Sequence, residues 1–111
     1  MDWTEVNTID KIDELRAESE QYPVLLFKHS TRCPISSMVL DRIERSWNQA
    51  EVGSMKPYIL DLIKNREISN LVAKSYGVPH ESPQVIILKD GQAVYDDSHM
   101  GINFQDLKEF T

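Results

Sequence analysis

The sequence predicts a small α/β domain whose helices cover both faces of a mixed sheet, and three observations lead there. Three apolar runs of β character, "PVLLFKH" at 23–29, "PYILDLI" at 57–63 and "PQVIILKD" at 83–90, are nearly continuous, as strands buried on both faces are. Between them apolar residues recur at helical spacing. Finally, Asp90-Gly91 lies between the last of these runs, at Val85–Leu88, and one further β-like stretch at Ala93–Tyr95, the mark of a tight hairpin. Alternating strands and helices imply parallel pairs joined by right-handed crossovers, and the hairpin adds an antiparallel edge.

Taken in chain order, a short strand is expected over 3–7, followed by a helix over roughly 8–20 marked by Ile9, Ile12 and Leu15. The strand at 23–29 follows. Ile35, Val39, Ile43 and Trp47 stand four apart on a second helix, roughly 34–49, and Ile68, Leu71 and Val72 mark a third, roughly 65–76. Asn65 suits that helix's N-cap and Gly77 its C-terminal cap. Each of the three apolar strands starts at a proline, a position where the missing N–H costs nothing. After the hairpin come a strand over 93–95 and a closing helix over 103–110, with Asn103 as its cap.

At 111 residues the chain fits one domain, 1–111, with a single central sheet of four to five strands. Its apolar share of 41% and charged share of 27% are those of a globular protein and not of a disordered one. A net charge of −6 argues against nucleic acid as a partner, because phosphate binding calls for a basic face. No apolar run approaches the roughly 20 residues that cross a bilayer, and "MDWTEVNTID" has neither the positive leader nor the apolar segment of a signal peptide. With one cysteine there is no disulfide scaffold, so a reducing, cytoplasmic address is expected.

That cysteine, Cys33, falls where the strand at 23–29 passes through a short loop into the helix beginning at Pro34. Proline favours the first helical position, which places Cys33 at the N-cap, facing the unpaired N–H groups of the first turn. Those donors, with Arg32 adjacent and Lys28 and His29 nearby, favour thiolate over thiol, the form that attacks a disulfide sulfur. The competing reading of a lone cysteine is a small buried hydrophobe. A metal centre is poorly served by one Cys and three separated His residues, and no local signature marks His29, His80 or His99 as the base of a Cys/His nucleophile.

"FKHSTRCPISS", followed about fifty residues later by "SYGVPHESPQVIILKDGQ", resembles proteins of the thioredoxin-like fold, with Cys33-Pro34-Ile35-Ser36 in the place of a Cys-x-x-Cys motif. More narrowly, Cys-Pro-Ile-Ser with its flanks resembles the monothiol bacilliredoxins of YtxJ type, over essentially the whole chain. The resemblance implies that Cys33 is the redox-active residue, with Pro34 and Ser36 completing the catalytic motif and Ser36 in the resolving-cysteine position. It also implies that Pro83 follows a cis Ser82-Pro83 bond beside the site, against the alternative of an ordinary trans proline opening a strand.

The implied activity is monothiol exchange that removes bacillithiol from S-bacillithiolated proteins, with bacillithiol as a thiol co-substrate, no tightly bound cofactor and no metal. The protein is expected to act as a monomer. Bacillithiol, a cysteinyl glucosamine malate, carries carboxylates, so Lys28, His29 and Arg32, together with Ser82 and Pro83, form the expected substrate-binding set; a solvent-pointing Lys28 and His29 is the alternative. Ser36 is expected close enough for its hydroxyl to bond the Cys33 sulfur. Two features depart from the resemblance: Arg32 stands where threonine usually precedes the cysteine, and the segment 79–81, containing His80 and Glu81, is inserted before Ser82. Two other readings remain. One is a thioredoxin-fold binding or stress protein whose cysteine is not catalytic, and the other a glutaredoxin-like iron–sulfur carrier.

Overall fold

The computed structural model describes all residues, 1–111. Its five-stranded sheet has the order β1-β3-β2-β4-β5, with β1 at Thr4–Glu5, β2 at Val24–His29, β3 at Lys56–Asp61, β4 at Gln84–Lys89 and β5 at Gln92–Ser98. The helices are α1 (Asp10–Ser19), α2 (Pro34–Ser46), α3 (Gln49–Val52), α4 (Arg66–Tyr76) and α5 (Phe104–Leu107). Short 3-10 turns at His99–Gly101 and Lys108–Phe110 flank α5. No helix is long and apolar enough to cross a membrane.

β2 is buried along its whole length because it lies between β3 and β4 and is covered on both faces. Its alternate residues feed two cores. Val24 and Leu26 pack with Ile12 and Leu15 of α1 and Ile68 and Val72 of α4. Leu25 and Phe27 pack with Val39 and Ile43 of α2, and with Phe104 and Leu107 of α5. This alternation is the period-two pleat at work. It also fixes where the two polar residues at the end of the strand must go.

β1 and β2 both run parallel to β3. β4, however, pairs antiparallel with β2, with Lys28 opposite Gln84, so the expectation of parallel pairs up to the final hairpin is corrected there. The chain re-enters the sheet at the C-terminal end of β2 and runs back along it. The hairpin forms as expected, with Asp90 at φ 54° and Gly91 at φ 78° between antiparallel β4 and β5.

Several boundaries move for local reasons. α2 stops at Ser46 because Trp47 is extended, and Asn48 then caps α3 by accepting the Ala50 N–H at 3.1 Å. β3 starts at Lys56, one residue before Pro57, and ends at Asp61, whose carboxylate accepts the N–H groups of Ile63 and Lys64 and turns the chain out of the sheet. Asn65 precedes α4 without capping it, since its amide donates to the Asp61 carbonyl, whereas Gly77 ends α4 in the left-handed conformation at φ 68°. Asn103 caps α5 as expected.

Candidate active site

Cys33 is the N-cap of α2, with extended φ −107° and ψ 116°, and Pro34 follows as the first helical residue. The Cys33 carbonyl accepts the Ser37 N–H at 3.1 Å, the first bond of the helix, and the Cys33 N–H donates to the Ser30 carbonyl at 3.1 Å, closing the turn that leaves β2. The side chain is partly exposed. Its sulfur accepts no hydrogen bond from the first turn, so the N-cap position is taken without a side-chain cap. Thr31 and Arg32, between Ser30 and Cys33, are exposed.

Ser36, one turn into the helix, is fully buried. Its hydroxyl bonds His29 Nδ1 at 2.7 Å, and its oxygen accepts the Ser30 N–H at 3.0 Å. This corrects the expectation that it would bond the Cys33 sulfur: the hydroxyl turns inward, where two buried groups need partners. His29 is only 9% exposed, with its ring 6.0 Å from that of Phe27 on the α2 face. Burial, the larger influence, pulls its pKa below the ordinary histidine value, against the opposing pull of Asp61 and Glu44.

Lys28, on the opposite face of β2, has no exposed surface at all. Its ammonium donates to the Ser69 carbonyl of α4 at 3.2 Å and lies 3.4 Å from His80 Nδ1. Burial alone pushes its pKa down to about 8. Lys28 and His29 are therefore neither solvent-pointing nor a basic surface for ligand carboxylates. A central strand covered on both faces leaves its side chains no route outward. Of that basic trio only Arg32 stays at the surface.

The segment that precedes β4 is anchored from the same place. His80 Nδ1 lies 3.3 Å from Ser69 Oγ, and the Gln84 amide donates to the Pro79 carbonyl at 3.0 Å. Glu81 faces outward and pairs with His99 at 3.4 Å. His80 is thus an internal anchor and Glu81 a surface partner, roles that residue type alone did not distinguish. The Ser82-Pro83 peptide bond is cis. The Pro83 carbonyl accepts the His99 N–H at 2.9 Å, while Ser82 Oγ is buried without a hydrogen-bond partner. The β2–β4 register, carried one step beyond Lys28 and Gln84, sets Pro83 opposite His29. The Cys33 turn and the Ser82-Pro83 bend therefore leave the sheet at the same end. No three His, Cys, Asp or Glu side chains come together as a group that could hold a metal ion.

The arrangement supplies one accessible sulfur at a helix N-terminus and no second thiol. It can form a mixed disulfide and cannot resolve one internally. A family model described as the monothiol bacilliredoxin BrxC matches residues 4–107. Among solved structures, one described by its thioredoxin fold and proposed to be an oxidoreductase is 29% identical, with a TM-score of 0.81 over 96% of this chain and 90% of its own. The thioredoxin of Malassezia sympodialis is 14% identical, with a TM-score of 0.75 over 97% of this chain and 86% of its own. That of Fasciola hepatica is 20% identical, with a TM-score of 0.70 over 96% and 93%.

Proposed function

The chain belongs to the monothiol bacilliredoxin family, thiol oxidoreductases of thioredoxin fold, and from that premise we propose that it removes bacillithiol from S-bacillithiolated proteins through Cys33. The Cys33 thiolate attacks the bacillithiol sulfur of the mixed disulfide. A Cys33–bacillithiol disulfide forms, the original S–S bond breaks, and the repaired protein leaves as its thiolate. A second thiol then attacks the bacillithiol sulfur and returns Cys33 as thiolate. Both steps are intermolecular.

The observation that carries this reading is Ser36. It stands three residues after Cys33, where the resemblance puts a resolving cysteine, with a buried hydroxyl engaged by His29 and Ser30, and the single cysteine of the chain leaves no second sulfur for an internal disulfide. Arg32, exposed beside the thiol, suits a ligand carboxylate, and Ser82 and Pro83 would flank the bound chain. The cycle uses bacillithiol as co-substrate, needs no bound cofactor, operates in a monomer and suits the reducing cytosol. The test is release of thiol from a bacillithiolated reporter protein: the wild type should release it and Cys33→Ala should not. Equal release by both would refute the assignment.

A further inference from the structure

We propose that His29 and Ser36 are a positioning pair for thiol exchange: the Ser36 hydroxyl donates to His29 Nδ1, its oxygen receives the Ser30 N–H, and this bridge holds the turn that presents Cys33. The inference rests on the exchange chemistry proposed above and assigns a task to two residues that do not meet the substrate.

The proton inventory fixes the direction of the bridge. A serine hydroxyl has one hydrogen and two lone pairs. The Ser30 N–H, an unambiguous donor at 3.0 Å, occupies one lone pair. In a fully buried site the hydroxyl hydrogen needs an acceptor, and the usual outlet inside a helix is a carbonyl one turn back. Ser46 of the same helix takes that outlet, donating to the Arg42 carbonyl at 2.9 Å, but Ser36 does not. His29 Nδ1 at 2.7 Å is the partner left, so it accepts, and the imidazole is neutral with its proton on Nε2.

The bridge acts on Cys33 through Ser30. That residue is held from both sides, its N–H by Ser36 and its carbonyl by the Cys33 N–H at 3.1 Å. The turn is thus tied to the strand by His29 and to the first turn of α2 by Ser36. A proton added at Nδ1 converts the acceptor into a donor, and the Ser36 hydrogen loses its partner. The charged groups that bear on His29 are Asp61, its register partner on β3, and Glu44 on α2, both of which favour imidazolium; on the other side the β2–β4 register, carried one step further, brings the uncharged Pro83 just ahead of β4, and burial opposes the charge. Lowering the pH through the His29 titration therefore loosens the Cys33 turn.

The test joins an NMR titration of the wild type with exchange kinetics against 2-hydroxyethyl disulfide, an uncharged probe. As the pH falls from about 7 through the ordinary histidine value of about 6.5 and below it, where burial holds the His29 titration, the Ser30 amide shift and the His29 ring shifts should share one midpoint. His29→Phe and Ser36→Ala should lower the exchange rate about five- to tenfold, the scale of one lost buried hydrogen bond. His29→Asn, whose side-chain oxygen reaches the place of Nδ1, should stay within about twofold and lose the part of the acid-side fall that follows His29. If His29→Phe does not fold, the wild-type titration and Ser36→Ala still decide. A Ser30 amide indifferent to the His29 titration, or truncated variants that exchange at the wild-type rate, would overturn the positioning role. An unreactive Cys33 in the wild type would instead overturn the exchange reading.

Discussion

Lys28 and His29 are neighbours in the chain, yet they leave β2 on opposite faces, and each anchors a different loop at the same end of the sheet. His29 reaches the first turn of α2 through Ser36, and Lys28 reaches α4 and the segment before Pro83 through Ser69 and His80. The pleat makes this division unavoidable, since consecutive strand residues point to opposite sides. One dipeptide thereby holds both the turn that carries the thiol and the bend that leaves the sheet at the same end.

Lys28 is buried without a carboxylate partner, so its charge destabilises the fold at neutral pH. With its pKa pushed from the ordinary 10.5 to about 8, the unfolded chain binds the proton more tightly than the native one. The penalty is complete below about pH 8 and fades as pH rises toward 10.5. Urea unfolding should therefore show stability rising between about pH 8 and 10, by about 3 kcal/mol at most. Above that, buried Tyr58, whose pKa is raised by burial and by its bond to Glu18, slopes the curve the other way. Lys28→Met should remove the rise and be more stable at pH 7 by about 1–3 kcal/mol. The Ser69–His80 contact remains to hold the loop. A less stable variant with an unchanged slope would show that Lys28 contributes more through its bonds than burial of its charge costs.

Glu18 gives the opposite sign. Burial works to raise its pKa, but bonds from Tyr22 and Tyr58, with Lys56 at 3.4 Å, prevail and hold it below the ordinary carboxylate value. Its contribution is present above the unfolded-state pKa and is lost as pH falls through the native one. Glu18→Gln should cost about 1–2 kcal/mol at pH 7 and distinctly less near pH 3. Chemical denaturation at the two pH values checks this, and an equal loss at both would deny the carboxylate its role.

The strands were legible because continuous apolar runs report burial directly, and the Cys33 N-cap was legible because proline marks the first helical position. Periodicity carries no strand direction, which is why the antiparallel β2–β4 pair was not foreseen. α3 and the 3-10 turn at His99–Gly101 are too short for any period to register. The 93–95 stretch likewise caught only part of β5, whose polar residues continue the strand to Ser98. At the site, reading 23–29 as a strand covered on both faces already implied that Lys28 and His29 are enclosed. Their charge suggested a basic surface instead, and the topology wins. The partners of that buried pair, Ser36, Ser69 and His80, are scattered over the chain, and nothing local in the sequence ties them to Lys28 or His29.

Arg32 is the cation left at the surface beside the thiol. Arg32→Ala should raise KM for a bacillithiolated protein about three- to tenfold at low ionic strength, a larger effect than its effect on the rate with an uncharged disulfide. The difference should shrink as salt is added, because an exposed contact is screened. Steady-state kinetics at two salt concentrations measures both, and identical KM values would make Arg32 a plain surface charge.

The most direct measurement is the intact mass of the reduced protein after mixing with a bacillithiolated protein and quenching with acid. One bacillithiol should be added to this chain through a disulfide at Cys33, with the partner protein released as free thiol. A disulfide-linked complex of the two proteins, or a chain that accepts glutathione and never bacillithiol, would contradict the proposed activity.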